Sequence, residues 1–368
     1  RIGCRSFLPD GRMDGSGQLL SSGEIETAIR FESRRYCERT PLEIGESWKL
    51  IPQFHGGEFL CNQKDGDARM SRASGGEDAM AGVPLPHKVI LETSIPQVYP
   101  RLLLVLFLLT LPLVNPWVRG DGVGYYAYLR SPLIDHNLNF EDDWRAGNQS
   151  FILPRLDARG LLLPEMYTKT GYVANHFTIG PAMLWAPVLI PVHLAVLTLN
   201  RFGLQIPADG HSRPYVISMA LTTACYGFLS LMLVFQTGRK YFEQQWVSLA
   251  TVGIWLASSL PVSMYFHPSW SHALSAFSVA LFIWFWDRTK MQRTLGQWAI
   301  LGLMAGLMGN VYYPNAFLLI FPALEIIYLA VEGRRRSAPE TPPLAALILR
   351  AMIFGGMFLI SLLPTVIT

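Results

Sequence analysis

The chain has 368 residues, 51% of them hydrophobic and 15% charged, with a formal net charge of +3. So little charge is unusual for a soluble chain of this length and assigns most of it to a bilayer. The small net charge, without a basic stripe interleaved with stacking aromatics, excludes a nucleic-acid-binding protein.

Residues 1–95 are polar, rich in Gly, Ser, Arg and Glu, and contain no apolar run long enough to span. They are read as a disordered leader or a gene-model artefact, preceding a membrane domain over 96–368. The first residue is Arg, no signal peptide pattern follows, and the last residues read SLLPTVIT, so both ends are read as those of a fragment. Cys4, Cys37 and Cys61 fall in the leader and Cys225 in an apolar segment. Their wide spacing argues against structural zinc, and Cys225 reads as a small buried hydrophobe.

Seven later segments are expected to span: 101–118, 214–235, 246–265, 272–287, 297–313, 315–331 and 345–366. An eighth apolar run, 179–199, contains Pro181, Pro187 and Pro191, each of which removes a backbone donor. Three short connections are basic: Arg239 with Lys240; Arg288, Lys290 and Arg293; and Arg334 to Arg336. The alternating loops YFHPSWSH and NVYYPN hold no Lys or Arg, so the positive-inside rule sets them outside. This count balances only if 179–199 does not cross once. It is therefore expected as a proline-broken juxtamembrane or re-entrant element, within an outer loop over 119–213.

That loop begins RGDGVGYYAY, directly after the first apolar segment. Asp121 stands at the outer mouth of the first span, and Gly120, Gly122 and Gly124 would let the backbone approach a ligand closely. Tyr125, Tyr126 and Tyr128 suit an interface, and the competing reading is a solvated turn with an aromatic belt. The acids in HNLNFEDDW read as a solvated helix start, with Asn139 or Asp142 as cap, rather than as a cation site.

The order RGDGVGYYAYLRSPLIDHNLNFEDDW, NHFTIGPAMLWAPV, HPSWSHALSAF and GLMAGLMGNVYYPN resembles the bacterial membrane glycosyltransferases of the GT-C fold. These include the lipid A galacturonosyltransferase-like group, with protein O-mannosyltransferases and aminoarabinose transferases as more distant relatives. The resemblance covers roughly residues 98–368. It implies an all-α integral membrane fold, a GT-C type module of about seven transmembrane helices with outer juxtamembrane helices. It further implies a polyprenyl-phosphate sugar donor and a lipid, glycan or protein acceptor. The place implied is the outer, periplasmic face of the cell inner (plasma) membrane.

Asp121 matches the family's catalytic acid by position, and the transfer chemistry needs such a group to take the acceptor's proton. Candidates for the donor phosphate or substrate are Arg119, Lys169, His176, Tyr125 and Tyr126, with His267 and His272 behind them. The competing reading makes Arg119 an interface anchor and has the two histidines cap segment ends or bond to Ser269 and Ser271. Some relatives carry an acid where this chain has HPSWSH, and a basic residue where it has NVYYPN. No cofactor follows from these residues, and a divalent metal is left as an open requirement. The rival function is a transporter or flippase-like protein without covalent chemistry; charge-free span centres and the absence of an evident repeat speak against it.

Overall fold

The computed structural model describes residues 52–55, 58–61, 98–151, 153–290, 292–336 and 343–368. The chain divides into two compact units, Arg1–Ile90 and Leu91–Thr368. In the first, β1 (Pro52–His55) and β2 (Glu58–Cys61) form an antiparallel hairpin with Pro52 opposite Cys61. The rest of the leader over 1–95 lies outside the described residues.

The second unit is helical. Its elements are α1 (Val98–Thr110), α2 (Asp121–Arg130), α3 (Glu141–Gly147), α4 (Gly180–Arg201), α5 (Arg213–Gly238), α6 (Gln244–Ala257), α7 (His272–Thr289), α8 (Leu295–Val311), α9 (Ile320–Arg336) and α10 (Leu344–Ile367). Among the described residues, four stretches are long and apolar enough to cross a membrane by length and composition: Gly180–Arg201, Arg213–Gly238, Tyr313–Glu332 and Leu344–Ile367. Val98–Leu113 and Leu295–Val311 are shorter apolar helices. The expected span 246–265 is split, since α6 stops before a bend at Ser258 and Ser259 and a π-helical turn follows at Val262–Phe266.

Contacts between helices fix their directions. The α1 helix starts beside Glu243–Gln245, with Tyr99 lining the same small cavity, and just past its end Thr110 and Tyr265 share a 2.7 Å hydroxyl bond. The α5 and α7 helices run parallel, joined by the Tyr226 and Phe277 rings at 4.6 Å and by Lys240 on Asp287 at 2.7 Å. The α8 and α10 helices are also parallel: a Cβ on Gly302 would lie 2.4 Å from the Phe354 carbonyl, and one on Gly306 2.3 Å from Ser361 Cβ. Small residues on α8 thus admit the α10 backbone, as at many membrane helix contacts. One end of the bundle collects Lys240, Asp287, Lys290 and Arg293, hereafter the basic end. The other collects residues 265–272 and 310–315, hereafter the site end.

The run 179–199 is not broken. It forms one continuous helix with Pro181 in its first turn and Pro187 and Pro191 inside. A first-turn proline costs nothing, and interior prolines are tolerated in apolar helices where surrounding structure absorbs the freed carbonyls. Although α4 has the length of a span, its neighbours place it in one half of the bundle. Thr178 donates to the Val311 carbonyl at the end of α8, at 2.9 Å. From there α4 runs antiparallel to the opening turns of α5, through Trp185 Nε1 on Thr223 at 2.8 Å and His193 with Tyr215 at 2.7 Å. It therefore begins at the site end and finishes beside the start of α5, without reaching the basic end.

Three clusters of buried side chains hold this arrangement. One centres on Tyr126, Trp144, Trp185 and Tyr215, a second on Phe107, Phe228, Trp255 and Tyr265, and a third on Phe282, Trp298 and Met308. Cys225, expected inside, is exposed on α5, because the helix turns Ala224 and Phe228 inward.

Candidate active site

The stretch after Arg119 is neither a solvated turn nor a ligand-facing loop. It is α2, and all of its residues are buried except the first, Asp121. Gly120 has φ +55, a conformation open to glycine, and starts the helix. The glycines within α2 serve close approach to protein rather than to a ligand. A Cβ on Gly122 would lie 2.0 Å from Ser269 Oγ, and one on Gly124 2.0 Å from the Phe177 ring. An acid in the first turn also suits the positive end of the helix dipole.

The segment 265–272 packs against this start. Arg119 donates from Nε to His267 Nδ1 at 3.2 Å and from Nη2 to the Phe266 carbonyl at 2.7 Å. Its Nη1 has no hydrogen-bond partner among the described residues and is available to an anion. Its own carbonyl accepts from Trp270 Nε1 at 3.1 Å, and its backbone N–H donates to Ser269 Oγ at 3.3 Å. Burial, then the Arg119 charge, lowers the His267 pKa, which suits a ring accepting from that guanidinium. His267, Trp270, His272 and Tyr312 form a row with successive ring centres 4.5, 5.9 and 6.0 Å apart. Ser271 donates to the Tyr125 hydroxyl at 3.1 Å. Burial raises the Tyr125 pKa, with Asp121, Tyr312 and Tyr313 adding to the effect.

Asp121, Arg119, Tyr125, His267 and His272 thus come together at the site end. His176 stands one step away, its exposed ring 4.1 Å from Phe177, which meets Tyr125 edge-on at 4.8 Å. Two expected substrate residues do not join them. Tyr126 is buried against Trp185 and donates to the Gly210 carbonyl at 2.6 Å, because its position on α2 faces the core. Lys169 lies exposed in the Thr168–Tyr172 turn, which closes on itself through Thr168 N to the Tyr172 carbonyl at 2.7 Å.

Sequence reasoning also missed a buried polar cluster behind α2. Arg130 pairs with Asp135, lies 3.6 Å from Asp143 and donates to the Asp209 carbonyl at 3.0 Å. Asp143 is 1% exposed and neither of its oxygens is hydrogen-bonded. Burial raises its pKa to about 7 against the pull of Arg130. His211, half-buried, is pushed down by burial and then by Arg130. The acids 141–143 are therefore not uniformly solvated. Asp142 is exposed and reaches Arg145, while the Glu141 N–H bonds Asn139 Oδ1 at 3.3 Å, so Asn139 supplies the capping oxygen. Among the described residues no group of three His, Cys, Asp or Glu side chains is placed to hold a metal ion.

Residues 215–358, from α5 into α10, match the family model of dolichyl-phosphate-mannose-protein mannosyltransferase. This match supports a membrane glycosyltransferase of the GT-C type. The match covers the segments that hold His267, His272 and Tyr312, whereas Arg119 and Asp121 precede it. No curated protein and no solved structure matches the chain.

Proposed function

We propose that the protein moves a sugar from a polyprenyl-phosphate donor to a hydroxyl of a lipid, glycan or protein acceptor, at the outer face of a cell's inner (plasma) membrane. The observation that carries this reading is the placement of Asp121, the one exposed residue of an otherwise buried helix, two residues after Arg119, whose guanidinium keeps an unused N–H edge. The acceptor hydroxyl passes its proton to the Asp121 carboxylate as its oxygen bonds the anomeric carbon. The bond from that carbon to the phosphate oxygen breaks, and the electron pair leaves on the lipid phosphate. Arg119 meets the charge that grows there, held in aim by Phe266 and His267. His272, in the ring row that starts at His267, and His176, against Phe177, are the further candidates for contact with the donor.

The Asp121→Asn variant keeps the shape and loses the base. Transfer from a polyprenyl-phosphate sugar by this variant, shown to be folded, should fall on the order of 10² to 10⁴-fold. A wild-type rate would remove Asp121 from the mechanism.

The outer placement rests on the basic end facing the cytoplasm. In intact cells, with native cysteines replaced by serine, an impermeant thiol reagent should label Tyr313→Cys and spare Gln292→Cys, both exposed positions. The opposite pattern would invert the orientation.

A further inference from the structure

The exposed Asp121 carboxylate has no hydrogen-bond or ion-pair partner among the described residues. Its aim therefore comes from the backbone that carries it. Arg119 differs, because its guanidinium is fixed directly by His267 and the Phe266 carbonyl. The proposed base thus depends on whatever sets the direction of the chain at the start of α2.

One peptide group decides that direction. It joins Arg119 to Gly120, and a side chain holds each of its polar edges. The Arg119 carbonyl accepts from Trp270 Nε1, and the Gly120 N–H donates to Ser150 Oγ, both at 3.1 Å. A peptide that precedes glycine turns over at little cost, because glycine takes positive and negative φ about equally. Here the two bonds select one orientation, with Gly120 at φ +55 and ψ −133. In it the Arg119 carbonyl also accepts from the Gly122 N–H at 3.0 Å, which closes the first turn of α2.

The two holders come from parts of the chain remote from each other. Trp270 belongs to the segment that carries His267, and the two ring centres are 4.5 Å apart. Ser150 ends the short turn Asn148–Ser150 after α3 and donates to the Gly147 carbonyl at 2.7 Å. That turn is seated on α2, since a Cβ on Gly147 would lie 2.5 Å from Val123 Cγ2. Its other side is fixed as well. Asn148 Oδ1 accepts from the Arg155 N–H at 2.8 Å, and the Arg155 guanidinium lies 4.1 Å over the Phe151 ring.

We infer that Trp270 and Ser150 are positioning residues for sugar transfer, which hold the Arg119–Gly120 peptide so that Asp121 is aimed at the acceptor hydroxyl. The inference rests on the reading of Asp121 as base. Each of the two side chains acts through the backbone, and a misplacement of about 1 Å costs on the order of 10²-fold in rate.

The full chain and its variants are compared in native membranes at equal amounts of folded protein, with the membranes' own polyprenyl-phosphate sugars as donor. Trp270→Phe keeps a ring beside His267 and removes the N–H donor, while Ser150→Ala removes the accepting oxygen. Each should slow transfer about 10- to 100-fold, with the unfolding midpoint in micelles staying within a few degrees of wild type. Ser150→Thr, which keeps the oxygen, should recover most of the rate. In the Asp121→Asn background neither Trp270→Phe nor Ser150→Ala should slow transfer further, because the group they aim is gone. A wild-type rate in either single variant, a large fall in midpoint, no recovery with Ser150→Thr, or undiminished losses in the Asp121→Asn background would each overturn the inference. If Asp121→Asn is slow while Trp270→Phe and Ser150→Ala are not, the base stands and the positioning role falls; Asp121→Asn at the wild-type rate removes both.

Discussion

The two ends of the bundle treat charge in opposite ways. At the basic end every buried acid that is described has cations closed upon it. Asp287 receives Lys240 and Lys290, each at 2.7 Å, together with the Tyr241 hydroxyl. Arg293 reaches Glu325 at 2.9 Å, donates to the Trp286 carbonyl at 3.1 Å and lies over the Trp298 ring at 4.4 Å. At the site end Asp121 is exposed, Arg119 keeps an unused edge, and Asp143 is buried without a hydrogen bond. Charges of the first kind join helices. Asp121 and Arg119 are left to meet something that arrives, whereas Asp143 is enclosed beside Arg130.

This contrast can be broken at either end. The largest effect is expected from Arg119→Gln, which should lower sugar transfer on the order of 10² to 10³-fold, the usual loss of one group stabilising a developing anion. Its unfolding midpoint in mixed micelles should stay within a few degrees of wild type, whereas a large fall would make Arg119 a structural residue like Arg293. Next comes Glu325→Gln, which leaves the Arg293 charge buried beside a neutral partner. About 3–5 kcal/mol of stability should be lost by denaturant titration. A loss below about 1 kcal/mol would show that the basic end does not depend on this pair.

The smallest effect concerns Asp143. Its folded pKa, about 7, lies above the ordinary carboxylate value near 4, so the folded state holds the proton more tightly. Stability from this group is full below about pH 4 and declines as pH rises toward 7. Asp143→Asn should flatten that slope and stabilise the protein at pH 8 by roughly 1–3 kcal/mol, part of the burial cost being offset by Arg130. Parallel pH profiles for variant and wild type would refute the burial account.

Hydropathy and charge in short loops were enough to find the apolar helices and to separate the two ends. The order of short motifs pointed to the glycosyltransferase class, and position alone singled out Asp121. The helix that Asp121 starts was not legible. Glycines at 122 and 124 carry no helical period, and what makes them necessary is Ser269 and Phe177, remote in sequence. Nor was the burial of Asp143, since three successive acids look solvated until Trp144 and Arg130 draw one inward. The prolines of 179–199 read as breaks because sequence shows the donors they remove, while neighbours that tolerate the loss belong to tertiary structure.

The parallel fit of α8 on α10 bears on how the protein is made. Gly302 meets Phe354, and Asn310 is held by the Ser361 carbonyl and the Thr365 hydroxyl, partners about fifty residues further along the chain. During synthesis α8 is therefore inserted with its glycine face bare, and it waits for a whole intervening helix before that face is covered. The end of α8 is also the anchorage of Thr178 and Gly180, which seat the segment leading from α2 into α4. The ribosome thus delivers the proposed base early and the fastening of its support, by α10, late.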